Sequence, residues 1–281
     1  MRMHVLYARE PRWRQFAERA EDLIADPAFR AVKSEGRTLA GIIELPDGNP
    51  VFIKKSQSDS WLRGIVTPII PSSAARAVAG AAMLEEAGIA HPRPLAAMEL
   101  RSRGALRASY LISEAIVGGD TLSRFALGPG GVKGRDARRR RRILDTVARQ
   151  VRRIHDARLY TRDLQETNVM VADDEDGGFL VWFLDLEDFR RVRRVDWAHR
   201  MRNLVHLDRS IGRFLCRAAR LAFLYAYLGG RPQRAEARRL VAQILALRAR
   251  IDRRHSPRQT APAAAAFTKS SAPSRTEKAH G

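Results

Sequence analysis

The stretch YTRDLQETNVMVADDEDGGFLVWFLDLED, residues 160–188, decides how this chain is expected to fold around its polar side chains. Two short apolar runs, separated by a polar turn that ends in Gly-Gly, predict a β-hairpin over residues 169–184. In an antiparallel hairpin, the residue that enters the first strand lies beside the residue that leaves the second. Those residues are Asn168 and Asp185, and Asp163 lies in the loop five residues before Asn168. Three oxygen-bearing side chains are therefore predicted to converge at one end of the hairpin.

Side-chain oxygens clustered in this way suit Mg²⁺, which takes one or two protein ligands and completes its shell with water and phosphate. The spacing of Asp163, Asn168 and Asp185 resembles the catalytic loop and the metal-binding loop of protein-kinase-like enzymes. Arg162-Asp163-Leu164 also resembles the Arg-Asp-Leu of the kinase catalytic loop. A polar hairpin with incidental acidic residues is the structural alternative to this interpretation.

The composition excludes several classes of protein. With 281 residues, of which 45% are hydrophobic and 29% charged, the chain can form one two-lobed domain or two small ones. Its first residues lack the apolar segment of a secretory signal, and no apolar run approaches the ~18 residues of a membrane span, so we expect a cytoplasmic protein without a transmembrane segment. A single cysteine, Cys216, excludes an internal disulfide framework.

The net charge of +20 fits nucleic acid, an anionic membrane surface or a polyanionic substrate. Lysines number only six, so nearly all of the positive charge is arginine spread along the chain, and charge by itself does not select a partner. Five consecutive arginines, residues 138–142, begin a predicted helix, where cations oppose the helix dipole. Both a solvated charged face and binding to lipid headgroups are compatible with this run.

The N-terminal part of the chain is predicted to be mostly β-structure. Residues 1–28 predict a short amphipathic helical extension, and residues 29–55 predict three strands joined by turns. The third strand contains Val-Phe-Ile-Lys, which resembles the Val-Ala-Ile-Lys of kinase strand three and selects Lys54 over Lys55 as the lysine that binds nucleotide phosphates. Gly36 lies eighteen residues earlier, where a phosphate-covering loop is expected, although its turn holds one glycine rather than a glycine-rich run.

A helix is predicted next, with Ser72 or Ser73 as its N-cap and Ala87 as its last residue. A kinase needs an acid on this helix to orient the strand-three lysine. The body of the predicted helix contains no acid, and only Glu85 and Glu86 in its last turn are available. This is a departure from the kinase pattern.

Residues 110–114 predict a strand that resembles the hinge between kinase lobes, where the backbone between Glu114 and Ile116 would contact adenine. The following part of the chain is predicted to be helical apart from the hairpin, with helices at residues 137–156, 196–208 and 211–228 and from residue 232 onwards. The order of elements predicts an α+β, protein-kinase-like two-lobed fold with a small β-rich N-lobe and a larger helical C-lobe. The predicted divisions are an N-terminal extension over 1–28, an N-lobe over 29–113, a C-lobe over 114–254 and a disordered tail over 255–281.

Several stretches resemble the lipopolysaccharide kinase family, the Kdo and heptose kinases of Gram-negative bacteria. They are residues 84–94, 110–114, 160–164 and 183–187, the last without the Phe-Gly that follows the metal-binding Asp in protein kinases. The resemblance implies transfer of the γ-phosphate of ATP, with Mg²⁺, to a sugar hydroxyl of the lipopolysaccharide inner core. It also implies an anionic glycolipid substrate, peripheral association with the inner face of the inner membrane, and no nucleic-acid partner.

The resemblance assigns roles to individual residues. Asp163 would be the catalytic base or orienter of the acceptor hydroxyl, Asn168 and Asp185 would bind Mg²⁺, and Lys54 would bind the phosphates. We further expect anionic groups of the acceptor to be bound by arginines that follow the hairpin, namely Arg191, Arg193 and Arg194.

Other features leave alternative functions open. Thr161 stands where the kinase loop usually has His, Gln165 where many kinases have Lys, and Phe52 where a small residue faces adenine. A kinase of a soluble small molecule and a pseudokinase or scaffold are therefore retained as alternatives. A nucleic-acid binder is the fourth class, but no recognisable binding module accompanies the basic charge.

Overall fold

The computed structural model describes residues 2–58, 71–122, 124 and 137–255, with the side chains of residues 213, 254 and 255 excepted. Its N-terminal part is a six-stranded antiparallel sheet in the order β1-β5-β6-β4-β3-β2. The strands are β1 (Arg2–Ala8), β2 (Arg30–Glu35), β3 (Thr38–Glu44), β4 (Pro50–Gln57), β5 (Pro94–Ser102) and β6 (Ala105–Glu114). The predicted α+β, kinase-like fold class is confirmed.

The expected single helix over residues 1–28 is wrong in its first third. Residues Arg2–Ala8 alternate between exposed and partly buried positions, which is the period of a strand, and they pair with β5 at the sheet edge. Pro11 then begins α1 (Pro11–Glu18), where a missing N–H costs nothing, and α2 (Ala20–Ala25) follows. The apolar face of this segment packs on the sheet, because Trp13 is only 3% exposed and belongs to the core cluster beneath β4 to β6.

The predicted helix of the N-lobe is confirmed as α3 (Ser73–Glu86). The hydroxyl of Ser72 accepts a hydrogen bond from the amide of Ala75 at 3.2 Å and caps its first turn. Gly88 adopts a positive φ of 63° and ends the helix, as expected for a left-handed C-terminal residue. The helix belongs to the larger core cluster, which it shares with the C-terminal helices.

The predicted hairpin is confirmed as β9 (Val169–Asp173) and β10 (Phe179–Phe183). Phe183 pairs with Val169, and the Leu184 amide donates to the Asn168 carbonyl at 3.0 Å, so the pairing continues to the residue just before Asp185. The short strand β7 (Asp120–Thr121) adds to β9. Two further strands, β8 (Leu159–Thr161) and β11 (Phe189–Arg191), pair antiparallel and flank the hairpin in sequence.

Helices make up most of the described C-lobe. They are α4 (Ala137–Asp156), α5 (Trp197–Ile211), α6 (Arg217–Leu228) and α7 (Arg234–His255). The expected continuous helix over 211–228 is wrong, because a 3₁₀ turn, Gly212–Phe214, and extended backbone at Cys216 separate α5 from α6. Glycine disfavours helix continuation. None of the described helices is both long and apolar enough to cross a membrane.

The arginine run at the start of α4 contacts the hairpin. Arg139 forms an ion pair with Asp173 at 2.7 Å, and Arg142 donates to the Gly177 carbonyl at 2.5 Å. Both guanidinium groups lie 5.5 Å from the ring centroid of Phe179. Two members of the run therefore stabilise the hairpin turn. The predicted tail, 255–281, lies outside the described residues except for residue 255, which ends α7.

Candidate active site

Asp163 is held by two amide side chains of its own loop. The Gln165 side chain donates to one carboxylate oxygen of Asp163, and the Asn168 Nδ2 donates to the other at 3.3 Å and to the Asp163 carbonyl at 3.1 Å. Gln165 thus occupies the position of the usual kinase lysine and orients the acid directly. Because Asn168 uses its Nδ2 here, its Oδ1 remains available as an oxygen ligand.

Lys54 reaches across the lobes to the end of the hairpin. Its Nζ lies 3.3 Å from Asp185 Oδ1 and 2.8 Å from Glu187 Oε1. Burial opposes the charged form of Lys54, but the two carboxylates outweigh it and raise its pKa. The structure therefore brings together two predicted site residues, Lys54 and Asp185, which are 131 positions apart in sequence.

Glu187 pairs with Lys54 in place of the acid that protein kinases have on their N-lobe helix, although Glu187 itself lies in the turn after the hairpin. Its second carboxylate oxygen accepts hydrogen bonds from Ser73 and, at 3.1 Å, from Arg76, both in the first turns of α3. Burial tends to raise the pKa of Glu187, and the charge and hydrogen bonds of Lys54, Ser73 and Arg76 lower it overall. The carboxylate consequently lies at a helix N-terminus, where negative charge is favoured.

The acids at the other end of α3 do not take part. Glu86 pairs with Arg191, and both side chains are more than half exposed. Glu85 is also exposed. Sequence reasoning missed Glu187 because it looked for the acid on the helix. The available signal was the Asp-x-Glu pattern, which sets Asp185 and Glu187 two residues apart.

A close approach of two backbones fixes the segment that carries these acids. A Cβ added to Gly80 of α3 would overlap the Leu186 carbonyl oxygen and lie 2.9 Å from its carbonyl carbon. Leu186 is 2% exposed and begins a 3₁₀ turn, Leu186–Asp188. Only glycine allows α3 to lie this close to the turn, so Gly80 sets the position of Asp185 and Glu187.

The acidic end of the hairpin fits a divalent cation. Burial first, and then the charges of Asp185, Glu187 and Asp163, raise the pKa of Asp188. Within the described residues, no three acidic, histidine or cysteine side chains form a metal site by themselves, so a cation there would depend on few protein ligands. Mg²⁺ needs only one or two protein ligands, and the Asp185 carboxylate with the Asn168 Oδ1 provides that oxygen set.

A buried polar network contacts the backbone of Thr161, just before the loop that carries Asp163. Asn203 of α5 donates from Nδ2 to the Thr161 carbonyl at 2.7 Å, and its Oδ1 accepts from His155 Nε2 at 3.0 Å. His155 Nδ1 in turn accepts from the Tyr227 hydroxyl at 2.8 Å. Burial is the main reason that the pKa of His155 is lowered to about 4, so the ring is neutral. His155 is therefore a structural residue, and sequence reasoning did not foresee its partners Asn203 and Tyr227.

Among the described residues, no hydrogen bond or ion pair links these acids to the three residues expected to contact the nucleotide. Gly36 lies in the turn between β2 and β3 with a φ of 55° and has open space around its Cα. The Glu114 amide, at the end of β6, already donates to the Arg93 carbonyl at 3.0 Å, so it is not available to adenine. Ile116 lies just beyond, in the connection to β7.

The three arginines expected to bind the acceptor occupy two different places. Arg191 pairs with Glu86, as described above. Arg193 and Arg194 line a cavity of about 890 Å³ that also contains Arg158, and Asp163 is not among its lining residues. Neither the ion pair of Arg191 nor the cavity of Arg193 and Arg194 includes Asp163.

The fold and the acidic site between its lobes define a protein-kinase-like phosphotransferase. The sequence model of the lipopolysaccharide kinase (Kdo/WaaP) family matches residues 68–227, more than half of the chain. The chain belongs to this family, and it is accordingly a phosphotransferase that acts on a sugar hydroxyl.

One solved structure similar to the chain is that of WaaP in complex with acyl carrier protein. The likeness covers 90% of this chain and 99% of that chain, with 24% sequence identity and a TM-score of 0.65, and it supports the fold. No curated protein matches the chain.

Proposed function

We propose that this protein transfers the γ-phosphate of ATP to a sugar hydroxyl of the lipopolysaccharide inner core, on Kdo or heptose, at the cytoplasmic face of the inner membrane. The observation that carries the proposal is the meeting of Lys54 with Asp185 and Glu187 within 3.3 Å, next to the loop that holds Asp163 and Asn168. The family match supports the same reaction class.

Each of these residues has a role in the proposed reaction. Lys54 binds phosphate oxygens, and Glu187 holds the Lys54 ammonium in place. Asp163 accepts the proton of the acceptor hydroxyl while Gln165 fixes its orientation. Mg²⁺ bound with ATP would be held by Asn168 and Asp185 and would neutralise phosphate charge.

The test is transfer of labelled γ-phosphate from Mg²⁺-ATP into a lipopolysaccharide extract. Asp163→Asn is expected to lower the rate by about 10³-fold with ATP binding retained, because it removes the proton acceptor but keeps the side-chain shape. Asp176→Asn, a change in the exposed turn of the same hairpin, is the matched control and should react at the wild-type rate.

The outcomes separate the retained alternatives. ATP binding without label in the glycolipid would favour a kinase of a soluble small molecule. Absence of both would favour a pseudokinase or scaffold. Label that persists in Asp163→Asn would contradict the role of Asp163.

We also propose that an acyl carrier protein carrying an acyl chain is a partner of this protein. WaaP, which shares the fold, was solved in complex with acyl carrier protein. In this chain, an apolar cavity of about 640 Å³ lies between α5, α6 and α7, and Leu207, Leu221, Leu224 and Leu245 are among its lining residues. An acyl chain would bury apolar surface there, which stabilises association.

Titration of purified acyl carrier protein into the kinase tests this partner. The acylated form is expected to bind more tightly than the form without an acyl chain. Leu245→Asp, at a half-exposed cavity residue, should remove that difference, whereas Leu180→Asp, at an exposed position of the hairpin, should preserve it. Equal binding of the two forms to the wild type would contradict the proposal.

A further inference from the structure

A second polar cavity, of about 420 Å³, opens directly beside Asp163. Its volume is in the range of small-molecule sites. It lies between the catalytic loop and two C-terminal helices and is lined by Asp163, Gln165, His206, Arg209, Arg248 and Asp252, together with Ser210. Arg248 and Asp252 of α7 lie beyond residues 68–227, the part of the chain that the family model matches.

Two guanidinium groups are held next to each other in this cavity. Arg209 of α5 donates from Nε to Asp252 Oδ1 at 2.7 Å, and Arg248 Nε lies 3.6 Å from the other oxygen of the same carboxylate. Asp208 fixes Arg248 from behind through a contact of 2.7 Å to NH1. Within the described residues, the Asp252 contact engages only the Nε of Arg209, so its two terminal nitrogens can donate to a ligand.

The charge of this wall favours an anion. Arg220 binds Asp208 in a bidentate pair at 2.6 and 2.5 Å, so the network contains three arginines and two aspartates. Of these residues, Arg209, Arg248 and Asp252 line the cavity itself, so one positive charge is in excess on its side away from Asp163. Arginine forks pair with carboxylate and phosphate groups in two parallel hydrogen bonds.

We propose that this cavity binds the acceptor sugar itself, with Arg209 and Arg248 holding a carboxylate or phosphate of that sugar. An anion held there would place the sugar's hydroxyls at the other end of the cavity, where Asp163 lies. The two arginines would then select an anionic sugar over a neutral one. This inference rests on the proposed lipopolysaccharide kinase function and names the sugar class that its site accepts.

The experiment is calorimetric titration with deacylated lipopolysaccharide core, supplemented by transfer kinetics at saturating ATP. Arg209→Gln and Arg248→Gln are each expected to raise the Kd and the acceptor KM by about tenfold or more, since a hydrogen bond to a charged group is lost. The Kd for ATP should change less than twofold. Arg202→Gln, an exposed arginine on the same helix, is the matched control and should behave as wild type.

Chemically altered acceptors identify the anion. If Arg209 binds a phosphate, removal of the phosphate groups from the core should abolish the effect of Arg209→Gln. If it binds a carboxylate, reduction of the carboxylates should abolish that effect instead. Arg209→Lys keeps the charge without the planar fork and should give an intermediate Kd. Because Arg209 also links α5 to α7, the melting temperature of each variant is measured alongside.

The outcomes distinguish the two levels of inference. If the wild type binds and phosphorylates the core while folded Arg209→Gln and Arg248→Gln bind it equally well, the cavity does not hold the acceptor and the proposed function stands. If the wild type neither binds nor phosphorylates the core, the proposed function fails, and the assignment of this cavity fails with it.

Discussion

The ammonium of Lys54 lies 2.8 Å from the carboxylate of Glu187, a residue of the turn that follows the hairpin and not of the N-lobe helix. The helix contributes Ser73 and Arg76 to Glu187 instead of contributing an acid of its own. The pairing thus joins β4, α3 and the end of the hairpin in one contact. It provides the orientation of Lys54 that protein kinases obtain from a helix glutamate.

Glu187→Gln is expected to lower kcat by about 10²-fold, a typical effect of losing one positioned charge in an active site. Among the described residues, Lys54 would retain Asp185 as a carboxylate partner and would shift towards that residue. Steady-state phosphate transfer, together with ATP binding, measures the effect.

Glu86→Gln is the matched control, because it removes a carboxylate from α3 that pairs with Arg191 at the surface. Its kcat should stay within about twofold of wild type, as exposed ion pairs contribute little. The reverse pattern, a slow Glu86→Gln and a normal Glu187→Gln, would mean that a helix acid pairs with Lys54 during turnover.

Gly80→Ala is expected to destabilise the protein by about 1–3 kcal/mol through overpacking, although alanine has the higher helix propensity. The added methyl would displace Leu186 and, with it, the neighbouring acids. A raised KM for ATP should accompany the lower free energy of unfolding, both measurable on the purified variant.

Ala79→Ser, at the adjacent exposed position of α3, adds one atom without meeting Leu186 and should change stability by less than about 0.5 kcal/mol. If Gly80→Ala were as stable and active as wild type, α3 and the turn would not be as tightly apposed as the structure indicates.

What the sequence predicted well was determined locally. The positions of Asn168 and Asp185 follow from one hairpin, and the limits of α4 follow from one amphipathic period. Glu187 and Gly80 were missed because their roles depend on how α3 packs against a segment about a hundred residues later. The strand Arg2–Ala8 was missed because its partner, β5, is also distant. A segment's own period can indicate a strand or a helix, but it does not identify the distant segment that will pack against it.

Arg193 and Arg194 remain predicted ligands for anionic groups of the acceptor, at a distance from the transferred phosphate. The double variant Arg193→Gln/Arg194→Gln is expected to raise the acceptor KM by about tenfold with kcat unchanged, since charged hydrogen bonds are lost from binding only. Arg238→Gln/Arg239→Gln is the control, because these two exposed arginines are neighbours of each other on α7 and their replacement removes the same charge from a different place. An equal rise in KM for both double variants would indicate a general electrostatic effect and would rule out a site.

The neutral, buried His155 predicts a pH dependence of stability. Its pKa is lowered by burial from 6.5 to about 4, so the unfolded chain binds more protons than the folded one between these values. Stability is therefore fully present above pH 6.5 and is lost as the pH falls towards 4, by about 1.4 kcal/mol per unit and about 3 kcal/mol in total. Denaturant unfolding at several pH values measures this slope.

His155→Gln should be less stable at pH 7, because Asn203 and Tyr227 lose a partner, yet should lack this part of the slope. His4→Gln, at an exposed position of β1, should retain it. A wild-type slope in His155→Gln would place the titrating group elsewhere.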